Sequence, residues 1–166
     1  MRTFKNTIIP KEYRGSAIAI GNFDGVHKGH QKVFKQAKKY SKKNKIKFGV
    51  LTFTPLPVMF FNQNIENYRL VSENKKFQLF EKYGVDFVIN IKFNKIFSKI
   101  TAKKFIKNII FKKINPRLIF VSNNFKFGNK RKGNVHLLRR FRKKYDYRLV
   151  NTLVFKHKRK FTKWTS

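Results

Sequence analysis

Residues Ala17-Ile18-Ala19-Ile20-Gly21-Asn22-Phe23-Asp24-Gly25-Val26-His27-Lys28-Gly29-His30 join a short apolar run to a Gly/Asp turn and then to a His-x-Gly-His that opens a helical pattern. A charge-free apolar run of this length reads as a strand buried on both faces, the kind that belongs to a parallel sheet. The order strand, turn, helix is also how an α/β protein builds a phosphate site, because backbone N–H groups and the positive end of the helix then face an anion. His27 and His30 lie three residues apart and project from one helical turn, and Gly29 between them lets a ligand approach the backbone. Without Cys or a nearby Glu, the pair makes a poor zinc site, and no metal ligand is assigned.

The remainder of the chain repeats the alternation. Residues 28–43 read as a helix with Val33, Phe34 and Ala37 on one side, and residues 48–53 as a strand stopped by Pro55 and Pro57, which lack the N–H that a sheet ladder needs. After an irregular stretch through Asn67, residues 73–83 form a helix capped by Ser72 and stopped at Gly84, and residues 86–91 a strand. Residues 101–111 carry an amphipathic stripe of Phe105, Ile106, Ile109 and Ile110, which belongs to the core. A short buried strand over 118–121, a loop over 122–133, a basic helix over 134–144 and a strand over 148–154 complete the pattern. It predicts an α/β fold, a doubly wound and mostly parallel sheet with its ligand crevice outside the carboxyl ends of the strands. The first turn, the proline segment and the 122–133 loop all follow strand ends, so one crevice collects all three.

Composition bounds the reading independently. With 166 residues, 41% of them hydrophobic, the chain holds one domain with a real core and is too short for two ordinary ones. Cysteine is absent, which excludes a disulfide framework and agrees with a reducing compartment. No apolar run reaches membrane-spanning length, and Met1-Arg2-Thr3-Phe4-Lys5-Asn6 leads into no signal-peptide core, so a cytoplasmic protein is expected. Lys and Arg number 41 against 7 Asp and Glu, a formal net charge of +34. Such a field attracts polyanions such as RNA at low salt. Its cations are nevertheless spread over almost every segment rather than gathered in a stripe, and the abundance of Lys, Phe, Ile and Asn matches A/T-rich codons. The run Lys156-His157-Lys158-Arg159-Lys160 reads as solvated surface, and His136 has no partner that the sequence identifies.

The first segment resembles the opening motif of the FMN adenylyltransferase domain in the bacterial bifunctional riboflavin kinase/FAD synthetase family. Leu51-Thr52-Phe53-Thr54-Pro55-Leu56-Pro57 is similar to that family's Thr-Phe-x-Pro-His-Pro loop. Gly84-Val85-Asp86 and Ile100-Thr101-Ala102-Lys103-Lys104-Phe105-Ile106 match the middle of the domain, and Asn123-Asn124-Phe125-Lys126-Phe127-Gly128, followed by Gly133, resembles its flavin-side loop. The resemblance implies a Rossmann-like nucleotidyltransferase of the His-x-Gly-His type. It transfers AMP from ATP to FMN, giving FAD and pyrophosphate, with Mg²⁺ carried on the ATP phosphates. It further implies catalytic roles for His27 and His30, through hydrogen bonds or positive charge. Gly21, Phe23, Asp24, Gly25, Gly29, Thr165 and Ser166 would contact ATP, and Pro55, Pro57, Asn124, Phe125 and Phe127 the flavin. Asp24 reads equally as a turn-former, and Asn124 as an Asx turn.

Departures accompany the matches. Leu56 stands at the family's His, removing a donor, and Ser122 replaces the Gly before the Asn-Phe loop. Trp164-Thr165-Ser166 falls where the family's Ile-Ser-Ser-Thr-x-x-Arg motif begins, short of its Arg, and the riboflavin kinase domain is expected to be absent. Residues 1–166 are thus expected to be the adenylyltransferase-like domain alone, with activity reduced or lost, and FMN supplied from elsewhere. Related His-x-Gly-His enzymes acting on pantetheine phosphate or nicotinate mononucleotide fit the Phe-Asp-Gly turn and the Asn-Phe loop less well. The competing reading is a degenerate, non-catalytic nucleotide- or RNA-binding domain that kept the fold.

Overall fold

In the computed structural model, which describes residues 1–62 and 72–152, the strands are β1 (Arg2–Phe4), β2 (Ala17–Ile20), β3 (Phe48–Thr54), β4 (Phe87–Lys92), β5 (Leu118–Ser122) and β6 (Arg148–Thr152). They form one sheet in the order β1-β4-β3-β2-β5-β6, every neighbouring pair parallel. Helices α1 (Lys28–Asn44), α2 (Pro57–Phe61), α3 (Glu73–Lys82), α4 (Lys95–Ser98), α5 (Ala102–Lys104) and α6 (Val135–Phe141) connect them. From β2 the chain steps outward to β3 and β4, then returns to the other side of β2 for β5 and β6. That reversal opens a crevice at the carboxyl ends of β2 and β5. Among the described residues no helix is long and apolar enough to cross a membrane.

The strand sequences explain both layers. In β2, Ala17 and Ala19 face α1 and α3, where Val33, Phe34, Ala37 and Phe80 close one core. Ile18 and Ile20 face the other side, over Phe105, Ile106, Ile109, Ile110, Val135 and Leu138. All four are buried, as the unbroken apolar run requires. Ser72 caps α3 by accepting from the Lys75 N–H at 3.3 Å, and Gly84 follows its end at φ +83°, both as the sequence reading expects. Asp86, in a segment that matched the family, lies at the amino end of the sheet. There it accepts from the Phe48 N–H at 2.8 Å and ties β3 to β4, away from the crevice.

Several elements differ from the sequence expectation. Strand β1 was not foreseen, because its three residues carry no strand pattern and become a strand only by docking on β4, with Phe4 edge-on to Tyr13 at 5.0 Å. Short helix α2 lies in the stretch read as irregular, and α4 lies where no element was assigned. The 101–111 helix begins as α5 and continues through Phe105–Ile114 wound as a π-helix, a rare form. Its i→i+5 winding brings Phe105 over Ile110 and Ile109 over Ile114, gathering every buried residue of the segment on one side.

Gly49 in β3 sits directly beneath the Phe87 ring, where an added Cβ would lie 2.3 Å from the ring edge. Gly49→Ala is therefore expected to lower unfolding free energy by about 1–3 kcal/mol in urea denaturation. An unchanged midpoint would mean that β3 and β4 are not packed this way.

Candidate functional site

The turn after β2 is backbone-strained. Phe23, Gly25 and Val26 have φ of +51°, +75° and +38°, and a β-branched residue in this region is an outlier. The turn is held from below. The Phe23 ring is buried 5.1 Å from Phe34 and 6.0 Å from Phe80, and Gly21 leaves room for it, since a Cβ there would meet the ring at 3.2 Å. From β3, the Thr52 hydroxyl donates to the Asn22 carbonyl at 3.2 Å, and the Gln31 amide donates to the Val26 carbonyl at 3.1 Å.

His27 is the N-cap of α1, and its Nδ1 accepts from the Gly29 N–H at 3.2 Å. That bond selects the tautomer carrying its proton on Nε2. The rings of His27 and His30 stack with centroids 3.6 Å apart, and Phe23 meets His30 edge-on at 5.1 Å. His30 Nδ1 is buried with no hydrogen-bond partner. Burial first, then the neighbouring His27 and Lys76, pulls the His30 imidazole from its ordinary 6.5 down to about 3. Of the two functions allowed by the sequence, hydrogen bonding or positive charge, His30 therefore offers the first near neutral pH.

Two further loops emerge at the same end of the sheet. After β3, Pro55 and Pro57 are half-buried and Leu56 is buried between them. After β5, the Ser122 hydroxyl donates to Asn124 Oδ1 at 2.8 Å, which leaves the Asn124 amide nitrogen available to an acceptor. The Asn151 amide donates to Asn123 Oδ1, and Arg139 donates to Asn151 Oδ1 at 2.7 Å. Phe125 stacks at 5.3 Å on Phe127, and Phe127 is buried against Phe105 and over Gly133, so Phe127 backs the loop from the core. Gly128, at φ +77°, has Ala102 backbone 2.6 Å from where its Cβ would be. Asp24 is half-buried on the first turn. Thr165, Ser166 and the 156–160 run lie outside the described residues.

The structure thus brings Gly21, Phe23, Asp24, Gly25, His27, Gly29 and His30 together on one turn. The Pro55–Pro57 and Asn124–Phe127 loops leave the strands on either side of it. The sequence reading missed Lys76, whose ammonium donates to Thr52 Oγ1 at 3.1 Å and whose side chain is buried. The available signal was its spacing: Lys76 stands four residues before Phe80, on the inward stripe of α3. Among the described residues no group of three or more His, Asp or Glu could hold a metal ion.

Fold and corner together define a Rossmann-like α/β domain of the His-x-Gly-His type. A family model described as FAD synthetase matches residues 9–163. The bifunctional riboflavin kinase/FMN adenylyltransferase of Buchnera aphidicola subsp. Schizaphis graminum is 39% identical over 149 residues, covering 89% of this chain and 48% of that protein. The chain spans about half the length of the first curated relatives it matches. Among solved structures, a macrolide-efflux protein from Streptococcus pneumoniae superposes with TM-score 0.74 at 24% identity, over 91% of this chain and 49% of that one. A pantoate-beta-alanine ligase from Francisella tularensis superposes with TM-score 0.54 at 14% identity, over 92% and 67%. These two likenesses show the fold. The chain belongs to the FAD synthetase family.

The His30 geometry has a consequence for pH. Between about 3 and 6.5 the unfolded chain binds a proton that the folded chain refuses, so stability falls as pH drops through that window. From pH 7 to pH 5 the His30 contribution amounts to a loss of about 2 kcal/mol. Urea denaturation at the two pH values is expected to show a smaller difference for His30→Gln than for the wild type. Equal differences would contradict the burial of a neutral imidazole.

Proposed function

We propose that this chain, as a single domain, is an FMN adenylyltransferase, transferring the AMP part of ATP to the phosphate of FMN and releasing pyrophosphate. The observation that carries the proposal is the stacked His27–His30 pair, set on a strained turn at the start of α1 in a chain of this family. A phosphate oxygen of FMN attacks the α-phosphorus of ATP, the bond to the bridging α,β oxygen breaks, and that oxygen leaves with pyrophosphate. The reaction asks for positioning and charge stabilisation and needs no covalent intermediate on the protein.

His27, whose Nδ1 accepts from the Gly29 N–H, would donate from Nε2–H to a phosphate oxygen. His30 supplies a neutral ring whose buried Nδ1 awaits a partner. The helix start adds its dipole. Asp24, Gly21 and Gly25 shape the turn against ATP, and Thr165 and Ser166 are assigned to ATP from the family motif. Mg²⁺ would come with ATP as its counter-ion and would supply charge neutralisation of the triphosphate. Pro55, Pro57, Asn124 and Phe125 border the flavin side, with Asn124 donating through its amide nitrogen, while Phe127 supports that side from beneath. Small charged substrates of this kind fit a cytoplasmic setting.

The test is FAD formation from FMN, ATP and Mg²⁺. The wild type is expected to turn over, and His27→Ala/His30→Ala to lose at least about 100-fold in kcat/KM with its circular dichroism intact. No FAD from either protein, together with salt-sensitive RNA binding by both, would establish the non-catalytic reading instead.

A further inference from the structure

Lys76 is the one basic side chain buried among the described residues, 7% exposed in a chain with 41 Lys and Arg. Taking an ammonium out of water costs several kcal/mol, so its location matters. Lys76 lies in the first turns of α3, and its Nζ donates to Thr52 Oγ1 at 3.1 Å. The fully buried Thr52 in turn donates to the Asn22 carbonyl at 3.2 Å, at the head of the left-handed turn. The ammonium also stands 5.9 Å from the centre of the Phe80 ring and close enough to His30 to oppose its protonation. The groups set against His30 include His27 from the cap of α1, Phe23 from the turn and Lys76 from α3. A fixed positive charge in this low-dielectric position acts strongly on an anion above it, whereas exposed lysines are weakened by water and salt.

We infer that Lys76 is a positioning residue of the nucleotide corner: it anchors the β2–α1 turn through Thr52 and Asn22 and sets a buried positive charge beneath the triphosphate. The inference rests on the adenylyl-transfer reading for the identity of the anion, and it separates one functional cation from a surface full of ordinary ones. It assigns Lys76 no proton transfer and no covalent step.

Calorimetric titration with α,β-methylene-ATP, at low salt and at about 0.5 M KCl, tests it. Lys76→Met is expected to bind the analogue about tenfold more weakly at both salt concentrations, with FMN affinity unchanged, and Lys76→Arg to recover most of the loss. Lys35→Met, on the exposed side of α1, is expected to show at most a small effect that vanishes at high salt. Wild-type affinity of Lys76→Met at high salt would overturn the inference. Where Lys76→Met fails to fold by circular dichroism, Thr52→Val decides: a several-fold loss supports the anchor, and unchanged binding overturns it. Binding with the expected Lys76 dependence but without FAD formation overturns the adenylyl-transfer reading and leaves Lys76 assigned. A wild type with no affinity for the analogue overturns both.

Discussion

The placement of Phe23 governs the rest of the site. Its ring is buried between Phe34 of α1 and Phe80 of α3 and meets the edge of His30, while its backbone is left-handed. Burial of such a ring contributes roughly 1.5–3 kcal/mol, comparable with the cost of about 1–3 kcal/mol for each residue held in a sparsely populated conformation. That balance lets the chain leave β2, reverse through Phe23, Gly25 and Val26, and enter α1 with His27 as its cap. The ring shares that task with the Gln31 amide, which donates to the Val26 carbonyl, and with Thr52, which donates to the Asn22 carbonyl. Gly21 is required for a complementary reason, because any side chain there would press on the ring.

Charge at this corner is selective despite the chain's total of +34. The imidazoles stacked at 3.6 Å cannot comfortably both be protonated, and burial keeps His30 neutral. Directional donors therefore come from the histidines and the start of α1. Lys76 lies buried beneath them, where salt reaches it least, and the many exposed lysines supply a diffuse field that salt removes. The parallel sheet makes this division possible: α3 runs back from the carboxyl end of β3, so its first turns deliver Lys76 to the crevice while Phe80, one turn on, seals the core.

Much of this was legible in the sequence, for physical reasons that differ by element. Strands β2 to β5 are largely apolar runs bounded by turn residues, and Ser72 and Gly84 mark α3 by local chemistry alone. Strand β1 was not legible, since Arg2 and Thr3 carry no strand pattern and pairing with β4 supplies the order. The π winding of Phe105–Ile114 was hidden because its apolar residues suit an α-helical stripe nearly as well. At the site, His27, Gly29 and His30 were visible from spacing. The neutrality of His30 was not, because it depends on burial and on α3. Phe127 illustrates the opposite case: its motif suggested a ligand contact, and its packing on Phe105 and Gly133 makes it a support. Lys76 was lost among other lysines, although its spacing to Phe80 placed a charge on an apolar stripe.

The central claim is that the β2–α1 turn, supported by Thr52, is where nucleotide phosphates are held. Backbone amide chemical shifts recorded during titration with α,β-methylene-ATP test it most directly. The account predicts that the largest changes fall on residues 22–30 and on Thr52, persist at high salt, and reach the loop after β5 only when FMN is added. Changes scattered over the exposed lysines of α1 and the basic residues of α6, fading as salt rises, would contradict it.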